Sequence, residues 1–341
     1  MKDYSFIGDY ASKLPLNFES GDFETNISGL LNEYLNVCKK NNIEEVSRIE
    51  VLINGILSSI KSTYEGLPYK AYAALKAAFD DSNITEIAKK NFSLQPKTNL
   101  FRIRKEGFEK RLDKRDLFHV PFELRGICNT QRFSIPGFPA LYVSNSLYVS
   151  WKEMGMFEFN YLHASRLSNI NSLNVLDLTY EPDDMSESHY AVLWPLIAAC
   201  AVKVRNRLDN FKSEYIIPQL LMQWVNKEKV DGIMYSSTHL FNNNLNNRGR
   251  FYNIVFSSRE VKTKGHCAKL ADAFLITEPI SYYERSIVPN FSKLTSEPTI
   301  PTNVNTDILE IEIFKDVRQQ YHETIFGSLE HTLLHLPLSS L

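Results

Sequence analysis

Hydrophobic spacing changes character once along this chain of 341 residues, near position 100, and that change bounds what the chain can fold into. Before it, apolar residues recur every three or four positions. Leu30, Leu31, Tyr34 and Leu35 do so within 26–39. Ile49, Leu52, Ile53, Ile56, Leu57 and Ile60 do so in the next segment. Apolar residues at that spacing share one face of an α-helix. The alanine-rich run 69–79 has high intrinsic helix propensity. Asn41-Asn42 and Gly66-Leu67-Pro68 predict turns between these helices, and residues 91–99, with Pro96, read as a boundary.

From Leu100 the apolar runs are short and bounded by turn residues, the pattern of strands. Strand character falls at 100–104, at 140–144, at 172–180, in the run ending at Tyr235 and at 251–256. Helices are expected at 187–207 and 215–225, the second entered near Pro218, and an asparagine-rich loop at 242–247. Residues 308–314 read as a strand and 317–334 as a terminal helix. No internal repeat is present. The expected class is α+β. A helical region (1–95) precedes a mixed-sheet domain (96–270), and a C-terminal extension (271–341) packs on that domain.

Hydrophobic residues make up 43% of the chain, enough for a sizeable core. A net charge of -2 offers no global attraction to nucleic acid or to an anionic membrane, so neither is an expected partner. Cys38, Cys128, Cys200 and Cys267 are far apart and form no CxxC pair, which argues against a structural zinc site and for buried thiols in a reducing compartment. Met1-Lys2-Asp3-Tyr4 lacks the start of a secretory signal, and the longest apolar run, 190–202, is too short to span a bilayer and contains Pro195. A cytoplasmic protein is expected. GxGxxG and GxxxxGK[ST] motifs are both missing, which sets aside dinucleotide dehydrogenases and P-loop enzymes. His331 and His335 are four apart with no third ligand evident, so no metal is predicted.

Chemistry-bearing residues gather between 100 and 153. Phe101-Arg102-Ile103-Arg104 and Arg132-Phe133-Ser134-Ile135-Pro136-Gly137 each set an arginine in an apolar run. A guanidinium fork suits phosphate oxygens, although by residue type alone such arginines are strand-edge cations in water. Tyr142 alternates with Leu141 and Val143, so its ring can line a cleft and stack on a flat ligand, or pack in the core. Glu153 follows Trp151. It is either an exposed helix glutamate or a carboxylate placed to stabilise a cationic sugar transition state. His119, before Pro121, is a buried strand histidine by default and a phosphate or proton-transfer group otherwise. Ser237, after Asp231-Gly232-Ile233-Met234-Tyr235-Ser236, can donate to phosphate or ribose, or be a plain turn serine.

Taken in order, these pieces resemble the RES domain over 100–256. Leu141-Tyr142-Val143, Leu176-Asp177-Leu178, Pro218-Gln219-Leu220-Leu221 and Asn253-Ile254-Val255-Phe256 join them. The resemblance implies an ADP-ribosyltransferase-like fold that takes NAD as substrate, with no separate cofactor. It also implies a toxin, often paired with an antitoxin, that depletes NAD by splitting off nicotinamide. It puts the family's arginine pair on Arg102 and Arg132, its tyrosine on Tyr142, its glutamate on Glu153 and its serine on Ser237. His119 is added as a further ligand contact. The family's Tyr-Pro-Ser is Tyr235-Ser236-Ser237 here, so Ser236 is a second candidate, and Arg104 could share the role of Arg102.

The implied activity is an NAD glycohydrolase or phosphorylase, with water or inorganic phosphate as acceptor. The alternatives are an ADP-ribosyltransferase that modifies a protein and a non-catalytic binding module. The N-terminal region resembles the accessory helical regions of larger RES proteins, including those with a HEPN-like N-terminus. It holds no histidine before His119, so an Arg/His ribonuclease centre is not available there. Packing, homo-oligomerisation or sensing is its expected role.

Overall fold

A computed structural model describes residues 4–90, 92–180, 185–228, 230–240, 251–260, 262–287, 310–314 and 317–341. In chain order its elements begin with α1 (Phe6–Ser12), α2 (Phe23–Lys40), α3 (Val46–Tyr64), α4 (Pro68–Asp81), α5 (Ile84–Lys90), β1 (Phe92–Leu94) and β2 (Asn99–Lys105). The middle comprises β3 (Ala140–Ser144), α6 (Leu147–Glu153), β4 (Leu162–Asn169), β5 (Leu173–Leu178), α7 (Glu187–Cys200), α8 (Ile216–Val225), β6 (Gly232–Ser236) and β7 (Tyr252–Ser257). The chain ends in α9 (Ala268–Ala273), β8 (Phe274–Ile276), β9 (Ile280–Ser281), α10 (Tyr282–Ile287), β10 (Glu310–Phe314), β11 (Val317–Gln320) and α11 (Ile325–His335). The class is mixed α+β. The asparagine-rich loop expected at 242–247 lies outside the described residues. Among the described residues no helix is long and apolar enough to cross a membrane.

Residues group into two compact units, each assembled from separate stretches of sequence. The first comprises Met1–Ser93, Gly126–Phe138 and Asn174–Thr238, and the second Leu94–Arg125, Pro139–Leu173 and His239–Leu341.

In the first unit the amphipathic helices bury their stripes. Ile49, Leu52, Ile53, Ile56 and Ile60 of α3 are all fully buried. Gly55 lets α3 and α4 close on each other, because a Cβ there would collide with the Ala78 methyl. Tyr34 stacks on Trp194 of α7 (4.2 Å) and donates from its hydroxyl to Ala191 O (2.8 Å). Helix α7 is buried continuously from Tyr190 to Cys200, as expected of a helix that is apolar all round. Strands β5 and β6 pair in parallel, with Val175 opposite Gly232 and Leu178 opposite Tyr235. A parallel pair requires a crossover, which α7 and α8 supply. Helix α7 stops at Cys200 rather than at 207. Ala201 O accepts from Leu16 N and Lys203 N donates to Leu16 O, so the backbone there pairs with residue 16 instead of extending the helix.

The second unit is built on antiparallel strands. β2 pairs with β4 along its whole length, and β4 also pairs with β8 and β9. β3 pairs with β7 from Ala140↔Ser257 to Ser144↔Asn253. β2 and β3 share only the register pair Phe101↔Ser144, so the two strands diverge beyond it. Phe101 and Ile103 point into a core completed by Leu147, Tyr148 and Trp151 of α6 and by Phe326, Leu329 and Leu333 of α11. The terminal helix starts at Ile325, not 317. Residues 317–320 pair instead with β10, and Thr324 caps the helix by accepting from Gly327 N (3.2 Å).

Candidate active site

Glu153 is the last residue of α6, a helix started by Ser146, whose Oγ accepts from Val149 N (3.2 Å). A carboxylate in a last turn faces the negative end of the helix dipole, so outside donors must hold it. Asn253 Nδ2 donates to Glu153 Oε1 at 3.1 Å, and His239 Nε2 stands 3.7 Å from Oε2. The amide is aimed by a directed chain of hydroxyls. Ser150 donates to Ser144 Oγ (3.0 Å), and Ser144 donates to Asn253 Oδ1 (2.5 Å). With Oδ1 committed to a hydroxyl donor, the amide turns its NH2 toward Glu153. Behind Glu153, Gly155 (φ 86°) and Met156 (φ 56°) adopt left-handed backbone, and the chain leaves α6 in a tight turn. The Glu153 side chain keeps 27% of its surface exposed, so its carboxylate is anchored yet reachable.

Alternation places Tyr142 on the same face as Ser144, two residues on, and as Asn253, Ser144's register partner. Arg102 is one residue on from Phe101, the partner of Ser144, and leaves β2 on the other face. The two residues are still joined, because Arg102 Nη1 donates to Tyr142 O at 2.7 Å where the strands separate. Arg102 Nε is buried without a hydrogen-bond partner among the described residues, and so is the hydroxyl of Ser165, the cross-strand partner of Arg102. Burial, with the nearby Arg104 charge, pulls the Arg102 guanidinium down to about 10, which still leaves it charged at neutral pH. Arg104 is otherwise engaged. It donates to Asp116 O (2.9 Å) and lies 3.5 and 3.6 Å from the carboxylates of Asp116 and Glu106.

His119 lies in the same unit, fully buried, with both ring nitrogens on backbone. Nε2 accepts from Cys267 N (2.8 Å) and Nδ1 donates to Val120 O (2.8 Å). Burial drives its pKa down to about 4, so the ring is neutral and acts as a staple between two backbone segments.

Arg132 and Ser237 belong to the first unit. Arg132 is buried. Its Nη1 donates to Cys200 O and Val202 O (2.9 Å each) and its Nη2 to Thr238 Oγ1 (3.1 Å), while the guanidinium lies 5.3 Å over the Tyr215 ring. Cys200 closes α7, so the cation sits where helix carbonyls lack partners. Ser236 Oγ accepts from Tyr180 N (3.1 Å), and Ser237 follows it, buried, beyond the end of β6.

Of the expected set, Arg102, Tyr142, Glu153 and His119 thus lie in the second unit, where Arg102 meets Tyr142 O, Glu153 meets Asn253 and His239, and His119 is held by backbone. The same unit adds Ser144, Ser150, His239 and Asn253, which residue type did not single out. Ser144 and Asn253 carried a signal all the same, because each is a polar residue flanking an apolar run within its strand.

A curated relative, named "Putative toxin YopC" from Bacillus subtilis (strain 168), is 30% identical over 316 residues, spanning 85% of this chain and 69% of the relative. The chain belongs to the YopC toxin family. No family model matches the sequence, and no solved structure matches it. The match reaches across most of the chain, so YopC-family likeness extends beyond any single group of site residues.

Proposed function

We propose that the chain is a toxin of the RES type, with an ADP-ribosyltransferase-like catalytic domain that destroys NAD by breaking the bond between nicotinamide and ribose. The observation that carries this reading is the Glu153 carboxylate, anchored by Asn253 and facing His239 yet partly open to solvent. In this reaction the electron pair of the C–N bond leaves with nicotinamide and positive charge builds on the ribose. A fixed carboxylate stabilises that charge as it develops. Water then adds to the ribose carbon and gives up a proton to the Glu153–His239 pair, which leaves ADP-ribose and nicotinamide. Inorganic phosphate in place of water leaves ADP-ribose bearing a phosphate at the same carbon.

Arg102 supplies the anion-binding end, since it is a half-buried cation whose buried Nε is unpartnered, beside an unpartnered Ser165 hydroxyl. Tyr142 offers a ring on the face that carries Asn253. Membership of the YopC family supports the toxin role. Product analysis tests the reaction. Purified protein incubated with NAD should release nicotinamide together with free ADP-ribose, or with its phosphate when phosphate is present. Transfer of label from NAD onto a protein would replace this reading with a protein-modifying transferase.

A further inference from the structure

A second carboxyl in the same unit reaches α6 from the opposite end to Glu153. Glu330 lies on the apolar face of α11 with Phe326, Leu329 and Leu333, and is 1% exposed. Its Oε1 accepts from Leu147 N at 2.6 Å and from the Tyr321 hydroxyl. Leu147 is the first residue of α6, and helix-start N–H groups have no partner inside their own helix. Ser146 serves Val149 N, and Glu330 serves Leu147 N. The same helix grips α6 again through Phe326, whose ring lies 5.4 Å from both Tyr148 and Trp151. Thr324 Oγ1 donates to Tyr321 O (2.6 Å) and fixes the turn that presents Tyr321 to Glu330. A Cβ on Gly327 would strike the backbone of Tyr321 and His322, so glycine is what lets α11 close on that turn.

Burying an acid is costly, and the cost is offset only where the group satisfies donors that would otherwise be left unpaired. We infer that Glu330 is a positioning residue for Glu153, acting through Leu147 N and α6 to fix where the Glu153 carboxylate stands. This rests on the proposed role of Glu153.

The groups around Glu330 are consistent with a grip on α6 rather than an ion pair. Tyr321 is the titratable group that faces it, and burial pushes that phenol far up. Lys152 of α6 lies over the rings of Tyr148 and Trp151. Arg166 of β4 donates to Leu336 O, beyond the end of α11, and His331 and His335 pair with each other on the exposed side. With no cation beside it among the described residues, burial raises the Glu330 carboxyl to about 8.

Two substitutions separate positioning from mere packing. Glu330→Gln keeps an acceptor oxygen for both donors, while Glu330→Leu keeps the bulk and removes the acceptor. Amide hydrogen exchange across 147–153 and NAD turnover are measured on the full chain. Glu330→Leu should speed exchange at Leu147–Val149 by roughly tenfold or more and lower kcat by about ten- to a hundredfold with KM little changed, the signature of a displaced catalytic group. Glu330→Gln should stay near wild type in both, and its kcat should not change as pH crosses about 8. Unchanged α6 exchange in Glu330→Leu, or an equal loss of turnover in Glu330→Gln, overturns the inference. Should Glu330→Leu fail to fold, Tyr321→Phe takes its place. It should give smaller shifts in the same direction, and no shift in either readout overturns the inference. A wild-type chain that leaves NAD intact counts against the NAD reading instead, and exchange at α6 then decides the role of Glu330 alone.

Discussion

Arg102 and Arg132 look alike in the sequence, each an arginine inside an apolar run, and the two units use them in opposite ways. In the first unit Arg132 spends its donors on Cys200 O, Val202 O and Thr238 Oγ1 and holds together the end of α7. In the second unit Arg102 makes one hydrogen bond to Tyr142 O and keeps a buried Nε without a partner. A buried cation with no orphaned nitrogen stabilises a fold. A half-buried cation with a spare buried donor is a place where a ligand oxygen or a water can bind. The contrast extends to the carboxylates. Glu153 and Glu330 both belong to the second unit, and each accepts from a neutral N–H donor, Asn253 Nδ2 for Glu153 and Leu147 N for Glu330.

The largest effect expected is at Glu153. Glu153→Gln keeps an acceptor for Asn253 and should fold, yet NAD turnover should drop by about a hundredfold or more if the carboxylate charge stabilises the transition state. Next come the two arginines. Arg102→Met should lower kcat/KM by roughly tenfold or more with little change in Tm, read by steady-state kinetics and calorimetry. Arg132→Met should strand buried carbonyls and lower Tm by roughly 5–10 °C. Reversal of that pattern would break the comparison. Asn253→Ala should cost about tenfold in kcat, because the carboxylate loses its aimed donor.

The smallest effects expected are in the pH dependence of stability. Glu330 has a folded value near 8 against 4.5 for the free acid. Between these values the folded chain holds the extra proton, so the Glu330 contribution is complete below about 4.5 and lost as pH rises through about 8. His119 runs the other way. Its folded value is near 4 against 6.5, so its contribution is complete above about 6.5 and lost as pH falls through about 4. Thermal melts should show a smaller fall in Tm as pH rises from about 4.5 to about 8 in Glu330→Gln, and a smaller fall as pH drops from about 6.5 to about 4 in His119→Gln.

Much of this was legible from residue spacing. The stripes of α2 and α3 predicted helices because amphipathic faces must be buried, and β6 and β7 were marked by apolar runs between turn residues. The misplaced ends have one physical cause. Residues 201–203 pair with Leu16, far off in the sequence, and 317–320 pair with the adjacent strand 310–314, so pairing with another segment displaced a locally plausible helix. Glu153 was among the candidates the sequence offered, and the residues that hold its carboxylate were not. Ser144, Ser150 and Asn253 act through a register that joins β3 to β7 and through the start of α6, and no local pattern encodes that pairing. Glu330 left a trace, as an acid on the stripe formed by Phe326, Leu329 and Leu333.

The most direct measurement is NAD consumption by purified wild-type and Glu153→Gln protein, with and without inorganic phosphate. Rapid loss of NAD that disappears in the variant is the predicted result, with the phosphate dependence naming the acceptor. Intact NAD with the wild type, or equal consumption by a folded Glu153→Gln protein, would contradict the assignment of Glu153 as the carboxylate that drives the reaction.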